Sequence, residues 1–200
     1  MKKKFSEFPT EEELQAELSR VKYRTRYRTV LKSTLYTLIT VAAVAVLVAT
    51  LWLPVLQIYG SSMNPTLTDG QIVVSLKTSN MEQGDIVAFY YNNKILVKRV
   101  IAKAGDWVDL KEDGTVFVND NQLHEPYISE KSFGDADIGF PYQVPEGKLF
   151  VMGDHRATSA DSRHSVVGCV AEEQIVGKIV FRIWPLGELG SLPTSAVATS

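Results

Sequence analysis

Val108-Asp109-Leu110-Lys111-Glu112-Asp113-Gly114-Thr115-Val116-Phe117-Val118 sets two short apolar runs on either side of Asp113-Gly114. An Asp-Gly pair between such runs is a strong hairpin signal, because Gly takes positive φ without steric cost. The same pattern extends in both directions. Ile72-Val73-Val74, Ile86-Val87-Ala88-Phe89, residues 95–101, Leu149-Phe150-Val151-Met152 and Ile179-Val180-Phe181 are short runs rich in β-branched and aromatic residues. Asp69-Gly70, Gln83-Gly84-Asp85, Asn92-Asn93, Asn119-Asp120-Asn121 and Glu146-Gly147 separate them as turns. Short strands between turn signals, with no long amphipathic helix, predict an all-β domain. It is expected to fill residues 59–185, with a smaller appended lobe at about 110–145 that includes the loop-rich stretch 122–145. The Gly-, Ser-, Thr- and Ala-rich residues 186–200 are expected to form a flexible tail.

Upstream of residue 60 the pattern is different. No charged residue occurs between Ser33 and Thr68, and residues 38–58 are apolar apart from Thr40, Thr50 and Gln57. About 20 apolar residues span a bilayer as a helix, so a transmembrane helix is expected over residues 33–58. Trp52 and Tyr59 lie near one end, where interfacial aromatics are favoured. A cleaved signal peptide fits poorly, because the run begins after more than 30 residues and exceeds a usual h-region of about 7–15. A buried core helix is the bland alternative. Residues 1–32 read as a basic amphipathic helical segment. Thr10-Glu11-Glu12-Glu13 forms a capping box, with Thr10 as N-cap, and Leu14, Leu18 and Val21 recur at helical spacing. No Gly or Pro interrupts residues 10–53, so the helix is expected to run into the membrane until Pro54 ends or kinks it.

Lys2, Lys3, Lys4, Arg20, Lys22, Arg24, Arg26, Arg28 and Lys32 precede the apolar run, whereas Asp69 is the first charge after it. The positive-inside rule then places the N-terminus in the cytoplasm and the domain after residue 60 outside, on a single-pass protein. The basic stretch reads as a solvated helix face, which is compatible with binding anionic lipid headgroups of the bilayer. A net charge of −2 over 200 residues leaves no global basic field for nucleic acid. Cys169 is the only cysteine, so no intrachain disulfide exists, and its neighbours Val166, Val167, Gly168 and Val170 suggest a small residue in a buried strand. His124, His155 and His164 lack metal-ligand spacing.

Ser62 follows the apolar run closely, in Gly60-Ser61-Ser62-Met63-Asn64-Pro65-Thr66-Leu67, and Lys98 lies in Lys94-Ile95-Leu96-Val97-Lys98-Arg99-Val100-Ile101. A serine hydroxyl becomes a nucleophile when a base takes its proton. His155 in Gly153-Asp154-His155-Arg156 is one candidate base. Lysine is another if burial keeps it neutral, which needs a drop of roughly 3 pKa units from about 10.4. Strand alternation puts Leu96, Lys98 and Val100 on one face, giving Lys98 aliphatic neighbours on both sides, whereas Lys94 and Lys103 lie at turns. Periodicity alone favours a strand lysine that snorkels to solvent. Asp85 and Asp106 follow glycines and read as turn formers.

Four segments together resemble the motifs of type I signal peptidases, in that family's order. Gly60–Leu67 is similar to the nucleophile motif, and Gly84-Asp85-Ile86-Val87-Ala88-Phe89 to the strand that follows. Val97-Lys98-Arg99-Val100-Ile101 with Gly105-Asp106 resembles the lysine motif. Gly153-Asp154-His155-Arg156 with Ser159-Ala160-Asp161-Ser162-Arg163 and Gly168 resembles the last. The likeness covers most of residues 58–181 and looks like the short form common in Gram-positive bacteria. It implies a β-rich Ser-Lys endopeptidase without metal or organic cofactor, cutting secretory preproteins after small residues in an Ala-x-Ala pattern. It implies Ser62 as nucleophile, through whose backbone N–H the oxyanion is bound, and Lys98 as general base. Ser159 would orient the lysine, Asp161 and Arg163 would form a supporting ion pair, and Met63 and Ile86 would line the substrate pocket. A monomer is expected. Gly60 stands where some relatives have a serine that completes the oxyanion hole, His155 where asparagine is usual, and Ala104 where proline is frequent. A self-cleaving repressor-type Ser-Lys protease is disfavoured by the membrane span and the absence of a DNA-binding segment. A catalytically inactive anchored β-domain that binds exported proteins is disfavoured by Ser62, Lys98 and Ser159.

Overall fold

A helix with no internal Gly or Pro, α1, runs over Glu11–Trp52 in the computed structural model, which describes residues 11–192. Its 42 residues extend about 63 Å. Glu11, Glu12 and Glu13 sit in the first turn, where carboxylates complement the positive end of the helix dipole. Thr10, the expected N-cap, lies outside the described residues. The helix is long and apolar enough to cross a membrane, and none of its side chains is buried.

The expectation that the span continues to residue 58 is corrected. The helix stops at Trp52, two residues before Pro54, which has no N–H and disfavours helical backbone before it. Val55–Gln57 is instead strand β1, paired antiparallel with β2 (Ile72–Leu76) in the register Val55↔Val74, Leu56↔Val73, Gln57↔Ile72. Apolar character alone does not separate the end of a membrane helix from a short strand. The chain divides into two units between Ala49 and Thr50.

The second unit is built from two antiparallel sheets. The remaining strands are β3 (Ile86–Tyr91), β4 (Lys94–Ala102), β5 (Trp107–Leu110), β6 (Val116–Val118), β7 (Asn121–Gln122), β8 (Tyr142–Gln143), β9 (Lys148–Met152), β10 (Val170–Ala171), β11 (Ile175–Trp184) and β12 (Gly190–Ser191). The larger sheet runs β1-β2-β11-β3-β4-β9-β10, with β12 also on β11; the smaller runs β7-β6-β5-β8. The Asp113-Gly114 hairpin forms as expected, with Val108 opposite Val118 and Leu110 opposite Val116. Gly114 sits at φ +83° beneath the backbone of Ser132, where a Cβ would meet that chain at 2.3 Å.

Alternation on β3 divides the core. Ile86 and Ala88 join Ile58, Met63, Leu67, Val73 and Ile179, whereas Val87 and Phe89 join Val100, Leu149 and Val151 on the opposite face. A third cluster joins Val108, Leu110, Val116 and Val118 of the smaller sheet to Ile101, Phe150 and Met152 of the larger. The lobe expected over 110–145 therefore begins at Trp107 and shares a core with the larger sheet.

The flexible tail is corrected over 186–192. Gly190 and Ser191 pair with β11, and Leu192 is buried in the core with Ile58 and Met63. Residues 193–200 lie outside the described residues. Cys169 is half-buried just before β10 rather than inside a strand, and its neighbour Val166 is exposed.

Candidate active site

The turn after β1 is held from both ends. Ile58 N–H donates to Gln71 O at 2.8 Å, Gly60 N–H to Asp69 Oδ1 at 2.7 Å, and Leu67 N–H to Met63 O at 2.9 Å. Met63 and Leu67 are buried and anchor the loop, which leaves Ser62 half-buried and Ser61 exposed. Gly60 has φ +86°, a conformation that disfavours a side chain even though a Cβ there would meet nothing within 4 Å.

Lys98 reaches this loop from β4. Its side chain is 3% exposed, and Nζ donates to Ser62 Oγ at 2.6 Å. Val87 lies directly across the strand pair from it. Burial lowers the Lys98 pKa from 10.5 to about 8, with Asp161 opposing the shift, Arg163 adding to it and Asp154 opposing it. An amine that loses its proton at about pH 8, in contact with a serine hydroxyl, has the geometry and basicity to take that hydroxyl's proton. Lys94 and Lys103 are exposed, as their turn positions suggested.

A groove of about 700 Å³ ends at Ser62. Leu56, Ile58, Met63, Leu96 and Val97 supply much of its apolar wall. Among the described residues β1 pairs only with β2, and β9 pairs with β4 only from Arg99 onward. The groove is thus flanked by β1 and the first half of β4, two stretches with free backbone edges. Met63 lines the groove. Ile86 does not; it is buried behind, in the cluster that contains Met63.

The loop from Gly153 to Arg163 closes the other side. His155 N–H donates to Ser62 O at 3.1 Å, while the His155 ring bonds Thr158 Oγ1 at 2.6 Å, so the alternative base is not brought to the Ser62 hydroxyl. A Cβ on Gly153 would fall 2.1 Å from Ser159 Oγ and 2.5 Å from Ser62 O. Ser159 is buried, and its hydroxyl has no hydrogen-bond partner among the described residues, so the expected bond to Lys98 is not made here. Asp161 and Arg163 form a fully buried two-pronged pair, Nε to Oδ1 at 2.8 Å and Nη2 to Oδ2 at 2.9 Å, rather than a surface pair. Asp161 also accepts Gly153 N–H at 3.0 Å.

Two further buried ion pairs had no counterpart in the sequence reading. Arg99 grips Asp154 at 2.9 and 2.7 Å, donates to Gly84 O at 2.8 Å, and Thr66 Oγ1 donates to Asp154 Oδ2 at 2.5 Å. Arg156 pairs with Glu125. The available signal was an arginine inside an otherwise apolar strand, which needs a buried anion. Asp85 is a turn former, accepting Glu82 N–H, and also pairs with Lys178 at 2.7 Å.

Comparison with known proteins identifies a family. The family model for signal peptidase, peptidase S26, matches residues 31–184. Signal peptidase IB of Staphylococcus aureus strain COL is 41% identical over 152 residues, covering 66% of this chain and 78% of the relative. Signal peptidase I T of Bacillus subtilis strain 168 is 39% identical over 143 residues, covering 65% and 73%. A crystal structure of a signal peptidase I from Enterococcus faecalis V583 aligns with a TM-score of 0.42 at 28% identity, over 50% of this chain and 96% of that one. The chain belongs to the signal peptidase family, peptidase S26, and is a serine peptidase.

Proposed function

We propose that this protein is a membrane-bound signal peptidase that removes N-terminal signal peptides from exported preproteins with Ser62 as nucleophile and Lys98 as general base. The observation that carries the reading is the 2.6 Å contact between a groove-facing hydroxyl and a buried amine. Ser62 Oγ attacks the scissile carbonyl as its proton passes to Lys98 Nζ. The resulting ammonium protonates the leaving amine. A water, deprotonated by Lys98, then cleaves the acyl-enzyme and regenerates the hydroxyl. The backbone N–H of Ser62 donates to the developing oxyanion. Ser159 and the Ser62 carbonyl both lie against Gly153, and Asp161 with Arg163 contributes to the local charge felt by Lys98.

An extended peptide laid between β1 and the first half of β4 would satisfy both free edges, with side chains entering the groove alternately. Aliphatic walls at Leu56, Met63 and Val97 suit small apolar residues, in keeping with cleavage after Ala-x-Ala. Leu53, Val55, Tyr59, Trp184, Leu186 and Leu189 are exposed large apolar side chains, and Trp184 shares a register line with Ile72 and Gln57. This apolar surface supports a bilayer as the neighbour of the site. The enzyme is read as a monomer with a cytoplasmic N-terminus.

The test is cleavage of a preprotein in detergent by wild type, Ser62→Ala and Ser61→Ala. Ser62→Ala should be inactive while folded, and exposed Ser61→Ala should lose little. An inactive Ser61→Ala beside an active Ser62→Ala would place the nucleophile one residue earlier.

A further inference from the structure

Segment 125–134 links β7 to β8, carries no strand of its own, and touches all three arginines buried around the dyad. The Glu125 side chain, 3% exposed, accepts Nη1 of Arg156 at 3.0 Å and Nη2 as well, and it accepts the Tyr127 hydroxyl at 2.9 Å. The Tyr127 ring lies 3.8 Å from the Arg99 guanidinium carbon. Phe133 O accepts Arg163 Nη1 at 2.8 Å. These arginines lead directly to the reacting groups. Arg99 follows Lys98 in β4, and its partner Asp154 holds Thr66 of the Ser62 loop. Arg156 Nε donates to the carbonyl of Gly153, the residue wedged between Ser159 and Ser62. Burying a carboxylate and a phenol costs desolvation that a surface loop avoids, so their placement here calls for a role.

We propose that Glu125 and Tyr127 are positioning residues for signal-peptide cleavage, acting through Arg156 and Arg99 to keep Lys98 dry and in contact with Ser62. This rests on the Ser62–Lys98 reading. Tyr127 stacks one face of the Arg99 guanidinium while Asp154 fixes its plane, so the strand carrying Lys98 and the loop carrying Ser62 keep their register. Glu125 neutralises Arg156 and so holds the Gly153 turn against Ser62. The groove walls on β1 and the first half of β4 are not part of this set.

The test uses the full-length protein in detergent and a preprotein substrate, with kcat and KM measured across pH and expressed per folded molecule from circular dichroism. Tyr127→Phe keeps the stack and should stay close to wild type. Tyr127→Leu should lower kcat by roughly 100-fold with KM unchanged, the cost of a displaced reacting group. The ascending limb of its pH profile should also move to higher pH, because water admitted to Lys98 restores the ammonium. Asp161, Arg163 and Asp154, the charges that face Lys98, are all intact in that variant. Glu125→Gln should lower kcat at constant KM. Wild-type kcat and an unmoved limb in folded Tyr127→Leu would overturn the proposal. If Tyr127→Leu does not fold, isosteric Glu125→Gln decides, and wild-type kcat there overturns it. A wild type that leaves the preprotein intact, or a Ser62→Ala that cuts it, would instead sink the cleavage reading itself.

Discussion

At the scale of single residues, the proposed mechanism turns on Lys98. A pKa lowered from 10.5 to about 8 corresponds to roughly 3 kcal/mol of disfavoured ammonium at neutral pH. The folded state binds its proton more weakly than the unfolded chain, so the penalty is full below about pH 8 and fades as pH rises toward 10.5. Lys98→Met removes the charge and keeps the length. It should melt several degrees above wild type at pH 7, at about 2–4 °C per kcal/mol for a chain of this size. The gap should narrow as pH rises toward 10.5. Detergent-solubilised melts at pH 7 and pH 10 check this; a lower melting temperature at pH 7 would contradict it. Cleavage by wild type should rise with pH through about 8, as the neutral amine accumulates. Alternation along β4 marked the apolar neighbours of Lys98 but could not distinguish a buried amine from one that snorkels. That difference is made by the Ser62 loop, 36 residues away in sequence.

At the scale of elements, the turn at Gly153 is the tightest point of the site. Gly153→Ala would drive a Cβ against Ser159 Oγ and Ser62 O, and the latter is backbone that cannot rotate away. Activity should fall by at least 10-fold while the sheets, followed by circular dichroism, persist; near-normal turnover would show that the loop gives way freely. The strands with β-branched runs, β2 to β6, β9 and β11, were legible because their period and turn residues are local. β1 was absorbed into the apolar run before it, and β12 was missed because Gly190-Ser191 carries no apolar pattern; pairing with β11 and the burial of Leu192 hold it. Ile86 was expected in the pocket only because the family resemblance implied it; its side chain instead packs into the core beside Met63. The partners of Arg99 and Arg156 were illegible because Asp154 and Glu125, 55 and 31 residues away, leave no spacing signal.

At the scale of the whole molecule, the charge asymmetry about α1 predicts the topology proposed for the chain. Arg20, Lys22, Arg24, Arg26, Arg28 and Lys32 precede the apolar stretch, and the first charge after it is Asp69. Protease added outside sealed right-side-out vesicles should digest the β-domain and spare an N-terminal tag. Loss of the tag with the domain protected would reverse the orientation. What matters most to the proposed reaction is which group takes the Ser62 proton. Lys98→Arg keeps the charge but stays protonated, so it cannot accept that proton. His155→Ala removes a ring that bonds Thr158 and leaves the backbone N–H on Ser62 in place. The decisive measurement is preprotein cleavage by these two folded variants in the same assay. The serine–lysine account predicts an inactive Lys98→Arg and an active His155→Ala; near-normal turnover by Lys98→Arg beside an inactive His155→Ala would contradict it.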